Sequence, residues 1–263
     1  MSSISNVFAK AKSENRAVLI GYMPAGFPTV ESSINIINAM IDGGVDLIEV
    51  GYPYSDPVMD GPVIQRATEK ALAEGFSAKD IFTVVQKSKA PTLVMTYWNP
   101  IERMGVSNFV STLTDAGGVG VITPDLTIEE STEWIDQTSQ NKIDRVYVVA
   151  PSSSDERLSN VVAQCSGFVY AASLMGVTGA RSALASSARE LVSRIRRHTS
   201  LPIAVGLGVS NAEQARDVAN FADGVIVGSA FISLVQNASN EKEALEKVRV
   251  LAAELAQAVR TRG

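Results

Sequence analysis

The sequence predicts an α/β chain folded as a single (β/α)8 barrel with an extra helix at its N-terminus, one domain over residues 1–263. Three observations predict it. Short apolar runs alternate with longer segments of helical spacing from end to end. The runs are nearly continuous in Val, Ile and Leu, as strands are when a parallel sheet buries both their faces. Finally, "GGVDLIEVG" at 43–51, "GGVGVITPD" at 117–125 and "FADGVIVGS" at 221–229 repeat one pattern. A recurring unit of helix, glycine stop and strand reads as a βα array, and eight units suggest closure into a TIM barrel. A doubly wound open sheet is the alternative.

The elements follow in order. Ile4, Val7, Phe8 and Ala11 fall on one face of a short N-terminal helix. Strands are expected at 17–22, 45–50, 92–97, 119–123, 144–149, 167–171, 202–206 and 223–227. Helices are expected at 30–42, 62–74, 78–88, 106–116, 127–139, 155–165, 186–198, 210–220 and 241–261. Their apolar spacing is close to 3.6, as in Ile34, Ile37 and Ile41.

Composition narrows the chemistry. A formal net charge of -5 argues against a general nucleic-acid or anionic-membrane binder. Cys165 is the single cysteine, so an intrachain disulfide and a cysteine-based zinc site are excluded, and a reducing cytoplasm is expected. The N-terminus lacks the apolar core of a signal peptide. His198, the single histidine, sits near a helix C-terminus, where a cation is favoured. Catalysis is therefore expected from carboxylates, hydroxyls, lysine or backbone groups, with no metal.

In a barrel, chemistry belongs at the C-terminal ends of the strands. Glu49 lies there in "LIEVG", beside Leu47, Ile48 and Val50. Desolvation would raise its pKa toward neutrality and suit it to proton transfer in both directions. The competing reading pairs it with Arg or Lys at the barrel mouth. The loop "GYPYSDPVMDGP" is long for a βα connection, where about 2–6 residues are usual. Taken alone, Asp60 reads as a turn or cap residue, and so does Asp56 before Pro57. Glycine-rich loops end strands six, seven and eight: "MGVTGARS", "VGLGVSN" and "VGSAF". Backbone N–H groups of Gly208, Gly228 and Ser229 suit a phosphate held at a helix N-terminus. Tyr22, Tyr97, Tyr170 and Leu207 suit the walls of an aromatic slot, although core packing explains any one of them.

Together, "LIEVGYPYSDPVMDGPVIQRAT", "MTYWNPI", "GVTGA" and "GLGVSN" resemble the tryptophan synthase alpha subunits, from "GYMPAGFPT" to "GSAFI". The resemblance implies cleavage of indole-3-glycerol phosphate to indole and glyceraldehyde 3-phosphate. It implies no cofactor in this chain and an alpha2beta2 tetramer with a beta subunit that carries pyridoxal phosphate. It matches Glu49 to an acid/base and Asp60 to a second catalytic acid. Gly179, Gly208, Gly228 and Ser229 match phosphate-binding positions, and Tyr22, Tyr97, Tyr170 and Leu207 match the indole and glycerol pocket. Thr178 matches a lid residue, and Asp56 a residue that signals to the beta subunit. Two positions depart from the pattern: Thr127 stands where proline is usual, and Leu207 where phenylalanine is common. A self-sufficient lyase and a non-catalytic activator of a beta subunit are the competing readings. The retained acids and glycines speak against the activator.

Overall fold

The structure is a computed structural model that describes residues 3–172 and 181–260. Helix α1 (Ser3–Ser13) precedes strand β1 (Val18–Pro24). Then come α2 (Val30–Asp42), β2 (Leu47–Gly51), α3 (Pro62–Ala73), α4 (Ala78–Lys87) and β3 (Thr92–Met95). The chain continues through α5 (Trp98–Met104), α6 (Val106–Asp115), β4 (Gly120–Thr123), α7 (Thr132–Gln140), β5 (Asp144–Val149) and α8 (Asp155–Gln164). It ends with β6 (Val169–Ala172), α9 (Arg181–Ile195), β7 (Ile203–Gly206), α10 (Ala212–Ala219), β8 (Gly224–Val227), α11 (Ser229–Gln236) and α12 (Glu241–Ala258). The strands form a closed barrel in sequential order, and every pairing is parallel. The barrel closes with Val18 opposite Gly224, so the open-sheet alternative is excluded.

Alternation along each strand divides the apolar residues into two cores. Ile48 and Val50 point outward and pack under the helices, while Leu47 joins Val18, Ile20, Leu93, Ile122, Val146 and Ile226 inside the barrel. Helix α1 plugs the N-terminal mouth. Its Ile4, Phe8 and Ala11 belong to the inner core, and the rings of Phe8 and Phe168 lie 5.7 Å apart. Burying Ile4 and Phe8 contributes roughly 1.5–3 kcal/mol each. Room for the plug comes partly from Gly224, where a Cβ would sit 2.9 Å from the Ala204 Cβ and 3.3 Å from Phe8. Gly224 is thus a packing glycine. Gly44 and Gly117 do adopt the positive φ of a helix stop, at 108° and 82°.

The predicted elements shift at a few places. Helices α5 and α11 form where no helix is expected, in what reads as loop after strands three and eight. Both follow their strands within two residues; α11 is strongly apolar and continues the apolar run of β8, whereas α5 is a short helix that buries only Ile101, so neither shows a helical period of its own. Strand β3 ends at Met95, two residues earlier than expected. The helix expected from 127 begins at Thr132, after a single 3-10 turn at Ile128–Glu130. His198 lies in the turn after α9, its N–H donating to the Ile195 carbonyl at 2.9 Å.

Below the barrel, Arg16 is 4% exposed and donates to both carboxylate oxygens of Asp46, at 2.7 and 2.9 Å. It also donates to Glu14 at 2.6 Å. Asp46 in turn accepts the Leu19 N–H at 2.9 Å, which locks the start of β1 to the approach to β2. Removing Asp46 leaves a buried guanidinium short of its main partner. Asp46→Ala is expected to lower unfolding free energy by about 3 kcal/mol, read by urea denaturation. A change below about 1 kcal/mol, the range of an exposed pair, would reassign this clamp to the surface class.

Candidate active site

The C-terminal strand ends surround a cavity of about 490 Å3. Its walls include Tyr22 from β1, Glu49 from β2, Asp60 from the following loop, Tyr170 from β6, and Gly208 with Ser229 from the last two strand ends. The two acids therefore face one space, together with the N-terminus of α11.

Glu49 is the middle residue of β2, and its strand partners are Tyr22 on β1 and Leu93 on β3. It shares the inner phase of the pleat with Leu47 and Gly51. Its exposure is 0%, and neither carboxylate oxygen has a hydrogen-bond partner among the described residues. Burial alone pushes its pKa up to about 8. Of the two readings of Glu49, the desolvated one holds: among the described residues no Arg or Lys pairs with it, and burial governs this side chain.

Asp60 is half-buried, and burial lifts its carboxyl to about 6. It does not cap α3: the N-cap is Gly61, which makes no side-chain capping bond. Its main chain is fixed instead. The Asp60 N–H donates to the Pro57 carbonyl at 3.0 Å, and the neighbouring Met59 N–H donates to the Tyr97 hydroxyl at 2.9 Å. Asp56 behaves as its local reading predicts. It is exposed, accepts the Ser55 hydroxyl at 2.6 Å, and is not among the cavity walls.

Tyr22, on the strand beside Glu49, and Tyr170, on β6, share the cavity with these acids. Burial raises both phenols well above their usual pKa, with further contributions from Asp60 and then Glu49 at Tyr22, and from Glu49 and then Asp60 at Tyr170. Both remain neutral O–H groups. Each lies over a glycine at a strand end: a Cβ on Gly51 would sit 2.2 Å from the Tyr22 hydroxyl, and one on Gly206 would sit 2.5 Å from that of Tyr170. Those two glycines carry no obvious sequence signal beyond sharing the inner phase of their strands. Leu207 is on the wall as expected. Tyr97 is placed differently: it is not a wall residue, its ring lies 5.2 Å from that of Tyr54, and it braces the Asp60 loop from behind.

Gly208, Gly228 and Ser229 line the same cavity, and a Cβ on Gly228 would sit 3.0 Å from the Tyr22 ring. Gly208 takes a φ of 74°, and Gly228 and Ser229 are the N-cap and first residue of α11. Backbone N–H groups and the helix dipole there favour an anion. Thr178 and Gly179 lie outside the described residues.

Fold and mouth define a class: a TIM-barrel enzyme with two desolvated carboxyls and a helix N-terminus on one cavity. Comparison with known proteins narrows it. The sequence profile of the family described as tryptophan synthase alpha chain matches residues 8–260. Tryptophan synthase alpha chains of Streptomyces avermitilis and Thermobifida fusca are each 54% identical, over 98% and 99% of this chain and 94% and 98% of theirs. A chain from the tryptophan synthase of Mycobacterium tuberculosis superposes with a TM-score of 0.92 at 46% identity, covering 99% of both chains. The chain belongs to the tryptophan synthase alpha chain family, lyases that cleave indole-3-glycerol phosphate. No helix among the described residues is long and apolar enough to cross a membrane.

The burial of Glu49 has a cost in stability with a definite sign. Between the ordinary carboxyl pKa of 4.5 and the folded value of about 8, only the unfolded chain releases this proton. Stability from this group is therefore complete below the lower value and falls as pH rises toward the upper one. Glu49→Gln removes that slope. Its stability relative to the parent is expected to climb by on the order of 3 kcal/mol between pH 4 and 7, read by urea titrations at each pH. A pH-independent difference would mean that Glu49 is solvated.

Proposed function

We propose that Glu49 and Asp60 carry out the retro-aldol cleavage of indole-3-glycerol phosphate in this chain, with Gly208, Gly228 and Ser229 holding the phosphate. The observation that carries the reading is the unpartnered, fully buried carboxyl of Glu49 facing the same cavity as Asp60. Near neutral pH a carboxyl of pKa about 8 holds its proton, and one of about 6 has lost it. Glu49 then delivers its proton to the indole carbon that loses the side chain. The bond from that carbon to the glycerol chain breaks, and its electrons return to the ring. The adjacent hydroxyl becomes the aldehyde and gives up its proton to the Glu49 carboxylate, which restores the acid. Protonating the ring places positive charge on the indole N–H, and anionic Asp60 accepts that hydrogen bond. Two carboxyls held at different pKa values thus divide acid and electrostatic roles.

Tyr22, Leu207 and Tyr170 wall the ring and glycerol parts of the substrate, and the α11 N-terminus faces its anionic end. The chain works with a beta subunit in an alpha2beta2 assembly, Asp56 on the exposed loop facing that partner. Family membership supports placing pyridoxal phosphate in the partner, and the cleavage proposed here uses only carboxyl proton transfer in this chain. A reducing cytoplasm suits the free, buried thiol of Cys165.

Three outcomes test this. Glu49→Gln is expected to lower kcat by about 100-fold to 10,000-fold while substrate affinity holds, in cleavage assays with the beta subunit present. Equal loss of affinity would make Glu49 structural. The kcat/KM profile should be bell-shaped, falling below about pH 6 as Asp60 protonates and above about pH 8 as Glu49 ionises. A profile flat across that range would remove the acid–base assignment. The Ser229 hydroxyl adds a donor to the backbone N–H groups, so Ser229→Ala should raise KM about tenfold at constant kcat, the cost of one hydrogen bond to a charged group; an unchanged KM would remove the hydroxyl from the phosphate site.

A further inference from the structure

The geometry points to Gln65 as a positioning residue for Asp60, acting by holding the main chain of the acid rather than its carboxyl. This inference rests on the role proposed for Asp60. The segment between β2 and α3 leaves the ladder after Tyr52, whose N–H donates to the Met95 carbonyl at 2.8 Å, and beyond it, among the described residues, only local turn bonds join the backbone to itself, such as that from Asp60 to Pro57 at 3.0 Å. Two side chains from neighbouring elements grip it. Behind it, the Tyr97 hydroxyl takes the Met59 N–H, as described above. In front, half-buried Gln65 in the first turns of α3 turns back, and its Nε2 donates to the Asp60 carbonyl at 2.9 Å. Its own N–H continues the helix, donating to Gly61 at 3.0 Å.

The bond runs opposite to ordinary capping. A capping side chain at a helix start accepts from free N–H groups; here the helix start lacks such a cap, and a donor reaches out to a carbonyl. Only a side chain that donates fits. Gln satisfies this at any pH, whereas ionised Glu in the same shape is acceptor-only. Freed at this carbonyl, the peptide could rotate and swing the carboxyl away from the indole N–H. A displacement of about 1 Å at a catalytic group is enough to cost rate without preventing binding.

The test uses the full chain with its beta subunit, assayed for cleavage of indole-3-glycerol phosphate. Gln65→Met keeps side-chain length and removes the donor, and Gln65→Glu sets an acceptor against the Asp60 carbonyl. The expected order of kcat is parent, then Met, then Glu. The Met variant should fall about tenfold and the Glu variant further, with KM within about twofold throughout. Gln236→Met is the control: it removes a tie from α11 to the Val63 carbonyl of the same helix, at 3.2 Å, and should leave kcat unchanged. The inference is overturned if both Gln65 variants keep the parent kcat, if KM rises as kcat falls, or if Gln236→Met loses as much. It is also overturned if Glu is milder than Met, as simple helix stability would have it. Should one Gln65 variant fail to fold, the other still decides against the parent. Asp60→Asn in parallel separates the layers: retained kcat there removes the role of Asp60 itself, whereas its loss beside an active Gln65→Met removes only the positioning role.

Discussion

Glu49 holds a carboxyl inside a barrel of Val, Leu and Ile side chains with no hydrogen bond to either oxygen. Ionised in that setting, it would incur a desolvation penalty of several kcal/mol, and protonation is the cheaper response. Much of the mouth's design follows from that constraint. Among the described residues no cation lines the cavity, and an Arg or Lys there would pull the pKa down and turn the acid into a spectator. The neighbours that face it, Tyr22 and Tyr170, are polar at the tip but neutral. The anion-friendly end of α11 opens on the same cavity, so the substrate's charge and the proton donor share one small space.

The barrel's two mouths solve opposite problems with the same alternation. At the N-terminal mouth the inner residues are apolar, and α1 closes the space with Ile4 and Phe8. At the C-terminal mouth the same inner phase carries Tyr22, Glu49, Gly51, Tyr170 and Gly206. Glycine alternating with a large phenol lets the ring lie across the neighbouring strand instead of filling the axis. A methyl group at Gly51 or Gly206 would push the phenols back over the opening. Space for a ligand is thus created by two absent side chains, and the stability for it comes from the plugged end and the outer core.

This explains which parts were legible beforehand. The strand and helix alternation and the place of Glu49 in its strand follow from period and composition, because each depends on nearest neighbours. Its lack of a partner does not, since a cation could have come from any of seven other strands. Asp60 followed by glycine looks like a turn residue in any fold, and only the resemblance to a family lifted it above that. Tyr97 was expected on the wall, but β3 stops at Met95 and α5 begins at Trp98, which turns the phenol toward Met59. Gln65 left no trace because its partner is a carbonyl, a group that every residue has.

The two acids also show why one sits on a strand and the other on a loop. A strand inside a barrel fixes its side chain and removes water completely, which carries Glu49 to about 8. A loop at the rim leaves Asp60 half-exposed, and its shift stops near 6. Were both on strands, both would be protonated at neutral pH, and nothing would stabilise charge on the ring. Were both on loops, both would be ionised, and no proton could be delivered. The gap of about two pKa units is set by depth within the same mouth, but depth on a loop is only as definite as the loop's own anchoring. Bonds to the backbone on either side of Asp60, from Tyr97 and from Gln65, convert a flexible connection into a fixed depth. The chemistry of the pair therefore rests on main-chain hydrogen bonds as much as on the carboxyls themselves.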